Sequence, residues 1–151
     1  MRLVPLTALL LIAGCAQAGD LSRAEFSITP SPQVVYPGDS LTIELVNNSD
    51  LELAVNVCSL EVQRSGFAGW SPEYSEPDSA HVCYTALAPL APGDSVARVL
   101  VIPENLGGYF RVYFPLILDQ AGGEVPADLR VSTPFEVRQR PVPAQQGGTA
   151  L

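Results

Sequence analysis

Short runs of strictly alternating apolar and polar residues limit the fold of this chain more than any other feature. The run Ser40–Val46 places Leu41, Ile43 and Leu45 on one side and its polar residues on the other. This period of two is typical of a half-buried β-strand. The residues that follow, Asn-Asn-Ser-Asp at 47–50, tolerate unusual dihedrals and hydrogen-bond their own backbone, so they predict a turn.

Other short runs are rich in β-branched and aromatic residues and are separated by Pro, Gly, Asn and Asp, whereas no long helical period appears. These runs predict further strands at Glu25–Thr29, Val34–Tyr36, Ala54–Arg64, Val82–Leu87, Ser95–Ile102, Tyr109–Leu118 and Val131–Arg138. Two Pro-Gly signals, Tyr36–Ser40 and Ala91–Ser95, each stand just before a strand, where Pro sets one dihedral and Gly accepts a positive one. The pattern predicts an all-β, antiparallel β-sandwich of about seven to eight strands.

Alternation also predicts which side chains of the strand after Tyr109 enter the core. We expect Phe110, Val112 and Phe114 to face inward and Arg111 to face outward. The other register, which buries Tyr109 and Tyr113 instead, stays open at this point.

The N-terminal residues predict an export signal. Arg2 precedes an apolar stretch, Leu3–Ala13, which is far shorter than the roughly 20 residues of a membrane-spanning helix. A charged start, a short apolar middle and small residues at the end form a secretory signal. One alternative is ordinary cleavage further along, for example after Ala18.

The residues Ile12-Ala13-Gly14-Cys15 resemble the lipobox of bacterial lipoproteins. The resemblance implies a signal peptide over 1–14, a diacylglyceryl group on the Cys15 thiol, and a tether over 15–24. Two or three acyl chains anchor a protein stably where a single chain does not. Ala16 at the next position points to the outer membrane, facing the periplasm or the cell surface, rather than to the inner membrane.

The charge balance excludes one class of partner. The chain has 8 basic residues and 16 acidic ones, with a net charge of −8. Such a surface repels phosphate backbones, so we expect no nucleic-acid partner.

The segments "YPGDSLTIELVNNSD", "LAPGDS", "GGYFRVYF" and "STPFEV", together with Trp70 between two cysteines, resemble bacterial immunoglobulin-like domains of secreted lipoproteins. The resemblance covers 25–138 and implies an immunoglobulin-like fold, while it says little about activity. A more distant similarity is to intracellular proteinase inhibitor-like β-sandwiches. Residues 139–151 lack periodicity and are expected to form a disordered tail.

With Cys15 lipidated, Cys58 and Cys83 form an even pair in an oxidising compartment, so we expect a disulfide. Closing the 25-residue separation would stabilise the fold by roughly 3.5 kcal/mol on a chain-entropy estimate. The alternative is two free thiols with a redox role. No Cys-x-x-Cys spacing or flanking basic residue favours it.

The segment "WSPEYSEPDSAHVC", residues 70–83, is the least strand-like part of the domain. Its candidate binding residues are Trp70, Tyr74, Glu76, Asp78 and His81. The acidic residues and the histidine show no register of a Ca²⁺ loop, so we expect a solvated loop without metal or cofactor. Trp70 either covers the sandwich edge near the disulfide or joins exposed tyrosines in a recognition patch.

No catalytic motif accompanies the single histidine, so an enzyme is not expected. The sequence instead predicts a membrane-anchored envelope lipoprotein that binds an envelope protein partner. The alternatives are a periplasmic protease inhibitor and a purely structural envelope protein.

Overall fold

The computed structural model describes residues 21–23, 25–75 and 86–141, and every regular element in them is a strand. There are eleven: β1 Phe26–Ser31, β2 Val34–Val35, β3 Ser40–Asn47, β4 Leu53–Val55, β5 Glu61–Gly66, β6 Gly69–Ser75, β7 Ala88–Leu90, β8 Ser95–Val101, β9 Gly108–Tyr113, β10 Ile117–Asp119 and β11 Phe135–Val137. The all-β fold class is therefore confirmed.

One three-stranded sheet has the order β1-β3-β8, and both of its pairings are antiparallel. The predicted strand at Ser40–Val46 lies at its centre. Leu41, Ile43 and Leu45 are fully buried, as the alternation predicted.

The two Pro-Gly turns close opposite ends of the β3–β8 pair. In each turn the residue after glycine donates its N–H to the residue before proline, at 3.0 Å, and Gly38 and Gly93 take φ of 81° and 83°. Each glycine N–H then bonds the end of the other strand: Gly38 reaches the Ile102 carbonyl at 2.8 Å, and Gly93 reaches the Asn47 carbonyl at 2.7 Å. A side chain at either glycine would strain this left-handed backbone.

The predicted turn after β3 is built around Asn47. Its side-chain oxygen accepts from the Ser49 N–H at 3.1 Å, and its amide donates to the carbonyls of Leu51 and Leu90 at 2.8 and 3.0 Å. Asn47 is fully buried. The side chain therefore ties β3 to the end of β7.

The second large sheet has five strands in the order β2-β11-β9-β5-β6. Its pairs are antiparallel except for β2 and β11, which run parallel. Phe110, Val112 and Phe114 are fully buried while Tyr109 is 58% exposed. The register that turns Phe110, Val112 and Phe114 toward the core is therefore confirmed.

A small sheet, β10-β4-β7, completes the fold. One apolar cluster draws side chains from all three sheets, including Phe26, Leu53, Phe110 and Ile117. Sheets that share a single core in this way form a β-sandwich, and the predicted immunoglobulin-like architecture is consistent with it.

Two predicted strands are each divided in two, which accounts for two of the additional strands; β6, which was expected to be a loop, is another. Ala54–Arg64 is interrupted where the Asn56 side chain accepts the Cys58 N–H at 3.0 Å and turns the chain. Tyr109–Leu118 is interrupted at Pro115, which has no N–H to donate to a ladder. In the first case β4 belongs to the small sheet and β5 to the five-stranded sheet. In the second case β9 belongs to the five-stranded sheet and β10 to the small sheet.

Of the remaining expectations, one differs from the structure, one lies largely outside the described residues, and one, the tail over 139–151, is described only at 139–141. The segment from Trp70 was expected to be a loop, yet its first part belongs to β6 because it pairs with β5 through a two-residue hairpin. The strand expected at Val82–Leu87 falls largely outside the described residues, and the strand that follows begins at Ala88. Contacts also continue past 138: the Gln139 amide donates to the Leu106 carbonyl at 2.7 Å.

Candidate binding surface

The outward side of the five-stranded sheet gathers polar and aromatic side chains. Alternation in β5, β9 and β11 sends every second residue away from the core. We call this surface the Arg111 face; it comprises Glu61, Gln63, Trp70, Tyr109, Arg111, Tyr113 and Glu136. It presents tryptophan, tyrosine and arginine, the residue types that most often carry the energy of protein interfaces.

Arg111 is the centre of this face. It lies opposite Gln63 on β5, and its guanidinium sits 4.6 Å from the centre of the Trp70 ring. Its Nε donates to the Gln63 side-chain oxygen at 2.8 Å, and the Gln63 amide donates to Glu61 at 2.7 Å. Gln63 thus holds Arg111 in place and separates it from the Glu61 carboxylate.

Trp70 meets Arg111 because of the hairpin geometry. The two-residue hairpin pairs Gly66 with Gly69 and Ser65 with Trp70, so Trp70 lies on the same outward side as Gln63. The turn at Phe67-Ala68 ends at Gly69, whose φ of 107° is favoured only for glycine. The long arginine side chain then crosses β5 to reach the indole, a contact that cation–π attraction stabilises.

The charge of a second guanidinium, that of Arg23, acts on Arg111. Arg23 donates to the backbone carbonyls of Asp128 and Val131, which fasten it beside β9. Burial lowers the pKa of Arg111, and the positive charge of Arg23 lowers it further. The two like charges therefore repel one another.

Four other arginines have carboxylate partners: Arg64 with Glu73, Arg130 with Glu124, Arg138 with Glu136, and Arg140 with Asp39. In the first pair two nitrogens bind two oxygens at 2.7 Å each. Hydrogen bonds from arginine lower the pKa of Glu73 and of Glu136. Within the described ranges, Arg111 and Arg23 differ from these four because neither contacts a carboxylate.

Only one of the residues suggested by the sequence lies on this face. Trp70 is half-buried there, at an edge strand of the sandwich. Tyr74 is opposite the buried Val62 and packs against the core, so the two aromatics lie on opposite sides of β6. Glu76, Asp78, His81, Cys15 and Cys83 lie outside the described residues.

Cys58 is disulfide-bonded and does not titrate as a thiol. Because Cys83 is outside the described ranges, the predicted Cys58–Cys83 pairing stays a prediction.

Sequence reasoning missed the role of Gln63 and the meeting of Arg111 with Trp70. Alternation correctly sent Arg111 outward, but it does not tell which side chain lies across a neighbouring strand. That contact depends on strand order and on the pairing that the β5–β6 hairpin sets. The sequence signal closest to it was Trp70 itself.

No cluster of three or more His, Cys, Asp or Glu side chains that could hold a metal ion occurs in the part of the chain that the structure describes. A shallow cavity of about 360 Å³ is lined by Pro37, Gly38, Glu104, Gln139 and Arg140. Among the described residues there is also no helix long and apolar enough to cross a membrane.

No known protein family and no curated protein matches this chain. Partial likeness links it to the Pseudomonas fluorescens alkylpurine DNA glycosylase AlkC bound to DNA containing an abasic-site analogue, at TM-score 0.39 and 16% identity, over 76% of this chain and 30% of that one. The chain therefore spans less than a third of the glycosylase.

Two other solved structures are partly similar. A CARDB domain from Pyrococcus furiosus, in complex with di-metal ions, has a TM-score of 0.40 and 10% identity over 76% of this chain and 87% of that one. AvmM, which catalyses macrocyclization in alchivemycin A biosynthesis, has a TM-score of 0.35 and 15% identity over 78% and 89%. Nothing about the activity of the present chain follows from these likenesses.

Proposed function

We propose that this chain is a lipid-anchored, immunoglobulin-like module of the bacterial cell envelope that acts by binding a protein partner rather than by catalysis. The observation that carries the binding role is the Arg111 face. It sets an arginine on a tryptophan and flanks the pair with Tyr109 and Tyr113 on a rigid sheet. Rigid aromatic side chains provide contact area at low cost in conformational entropy.

The lipobox-like residues Ile12-Ala13-Gly14-Cys15 support the anchor. The first described residues also bear on how the domain is held. Leu21 packs against the core and Arg23 is bound to the loop before β11. With Cys15 lipidated, only residues 15–20 separate the anchor from Leu21, and six residues span at most roughly 20 Å, so we propose that the domain works close to the membrane. The outer membrane, facing the periplasm or the surface, is the proposed location.

Photocrosslinking in cells tests the binding role. A photoreactive amino acid replaces Tyr109, and a matched control replaces Thr29, which is exposed on the outward side of the three-stranded sheet. We expect a discrete crosslinked envelope protein from position 109 and none from position 29. Equal labelling at both positions, or no product from either, would contradict a partner bound at the Arg111 face.

Fractionation tests the anchor. Replacement Cys15→Ser removes the only thiol in the lipobox, so we expect an uncut precursor that no longer fractionates as a lipoprotein. A correctly cut and still membrane-bound Cys15→Ser protein would refute the lipid anchor. The binding proposal would survive that result.

A second candidate function, protease inhibition, is favoured by one observation. Phe67 at the tip of the β5–β6 hairpin is fully exposed, and an apolar side chain there could enter an apolar specificity pocket like that of chymotrypsin. An inhibitor should block chymotrypsin saturably, and Phe67→Asp should abolish the effect. If the wild-type protein leaves chymotrypsin active, this candidate is dropped.

A further inference from the structure

We propose that the Arg111 face binds a segment of a partner protein that carries one carboxylate among apolar residues, and that Arg111 holds this carboxylate. This inference rests on the proposed binding function and adds the chemistry of the partner. It states which chemical group of the partner binds Arg111, whereas the crosslinking experiment tests only whether a partner binds at the Arg111 face.

The first argument is charge compensation. The hydrogen bonds of Arg111 and Arg23 reach only neutral acceptors, namely the Gln63 side chain and the backbone carbonyls of Asp128 and Val131. Four other arginines in the described ranges contact a carboxylate of this same chain. In a chain with twice as many acidic as basic residues, Arg111 and Arg23 therefore differ from these four because they contact no carboxylate of the described residues. An external carboxylate would relieve their repulsion.

The second argument is geometry. Stacking on Trp70 and the bond to Gln63 fix the plane of the Arg111 guanidinium and occupy its Nε. Its two terminal nitrogens have no acceptor among the described residues. Two terminal nitrogens held in one plane match the spacing of the two oxygens of a carboxylate, so they can form a bidentate pair of hydrogen bonds. Such charge-assisted hydrogen bonds are stronger than neutral ones.

The third argument separates a protein from a membrane or a nucleic acid. The carboxylates of Glu61 and Glu136 lie at the rim of the face. Glu136 is paired with Arg138, whereas the Glu61 carboxylate has no arginine partner among the described residues and repels a densely charged surface such as anionic lipid or a phosphate backbone. A single carboxylate among apolar groups avoids that repulsion, and Tyr109 and Trp70 supply apolar contact area around it.

The only tryptophan of the chain reports on this site directly. The full-length protein in detergent micelles is titrated with a capped peptide that contains Glu and Tyr but no Trp, while Trp70 fluorescence is recorded. We expect a saturable change that weakens with added salt. The same peptide with Gln in place of Glu should give no change.

Variants locate the effect. Arg111→Gln should weaken peptide binding by about tenfold or more, as expected when a charge-assisted bond is lost. Arg111→Lys keeps the charge without the fork and should show an intermediate loss. The matched control, Arg140→Gln, removes an arginine that is paired with Asp39 and should bind as the wild type does. Because substitution at 111 also alters Trp70 emission, retention on immobilised peptide provides a second readout.

Three results would overturn the proposal: equal binding of the Glu and Gln peptides, unchanged binding by Arg111→Gln, or binding only to vesicles of phosphatidylcholine and phosphatidylglycerol. If the peptide fails while crosslinking from position 109 succeeds, Arg111 does not hold a partner carboxylate and the binding function stands. If crosslinking fails, the proposed function itself is lost.

Discussion

The strongest test of the sandwich compares two neighbouring residues of β9. Phe110 is fully buried, and its ring lies 5.9 Å from the Phe135 ring and 4.8 Å from the Arg64 guanidinium. Tyr109, one residue earlier, is 58% exposed on the Arg111 face. Replacing each by alanine removes an aromatic ring from opposite sides of the same strand.

The two substitutions are expected to lower the free energy of unfolding by amounts that differ severalfold. Phe→Ala in a core lowers the free energy of unfolding by about 3–5 kcal/mol, through lost transfer energy and the cavity that remains. Because Phe110 also loses an aromatic pair worth about 0.5–1.5 kcal/mol, its cost belongs in the upper part of that range. Tyr109→Ala leaves no cavity and should cost about 0.5 kcal/mol.

Urea unfolding of the oxidised protein, followed by far-ultraviolet circular dichroism, measures both. With a slope of about 2 kcal/mol per M, Phe110→Ala should lower the midpoint by about 2 M. Tyr109→Ala should move it by about 0.25 M. If Phe110→Ala does not fold, Phe110→Leu should fold with a smaller loss. Equal costs at the two positions, or a larger one at Tyr109, would refute the register.

Three further predictions address stability. Asn47→Ala should lower the free energy of unfolding by about 2–3 kcal/mol because buried carbonyls lose their donor, while the exposed neighbour Asn48→Ala changes it by less than about 0.5 kcal/mol. Since its arginine partner lowers the pKa of Glu73, the pair stabilises the fold above the ordinary carboxyl pKa and loses this effect as pH falls through the lowered value. Urea unfolding should therefore show that the wild type is more stable than Glu73→Gln near neutral pH, by less than about 1 kcal/mol. This difference in stability should shrink in acid. A difference that grows in acid would contradict the lowered pKa of Glu73. Thiol titration of the unfolded, unreduced mature protein should find neither Cys58 nor Cys83 reactive, and two reactive thiols would exclude the proposed pairing.

Much of the fold was predictable because it depends on local chemistry. The alternation in Ser40–Val46 and in the run after Tyr109 correctly assigned the inward side chains, since the period of a strand is fixed at two. The hydrogen bonds of Asn47 to its own turn were expected from the residue type. The divided strands were not predicted, because each half is a good strand sequence and only its partner decides where it ends.

The candidate surface was much less predictable. Sequence placed Arg111 outside and named Trp70, but it grouped Trp70 with Tyr74, which packs against the core instead. The register shift in β5–β6 separates them. A one-residue slip reverses the side of every later side chain, so a single bulge can undo a correct local prediction.

The sequence by itself determined the all-strand class, the inward residues and both Pro-Gly turns, because these follow from side-chain period and from dihedral limits within a few residues. Only the tertiary structure decided that the two turns dock on opposite ends of one strand pair and that Arg111 crosses β5 to stack on Trp70. Those contacts join residues far apart in the chain. Strand order and register set them, and both emerge only when the whole apolar core is packed.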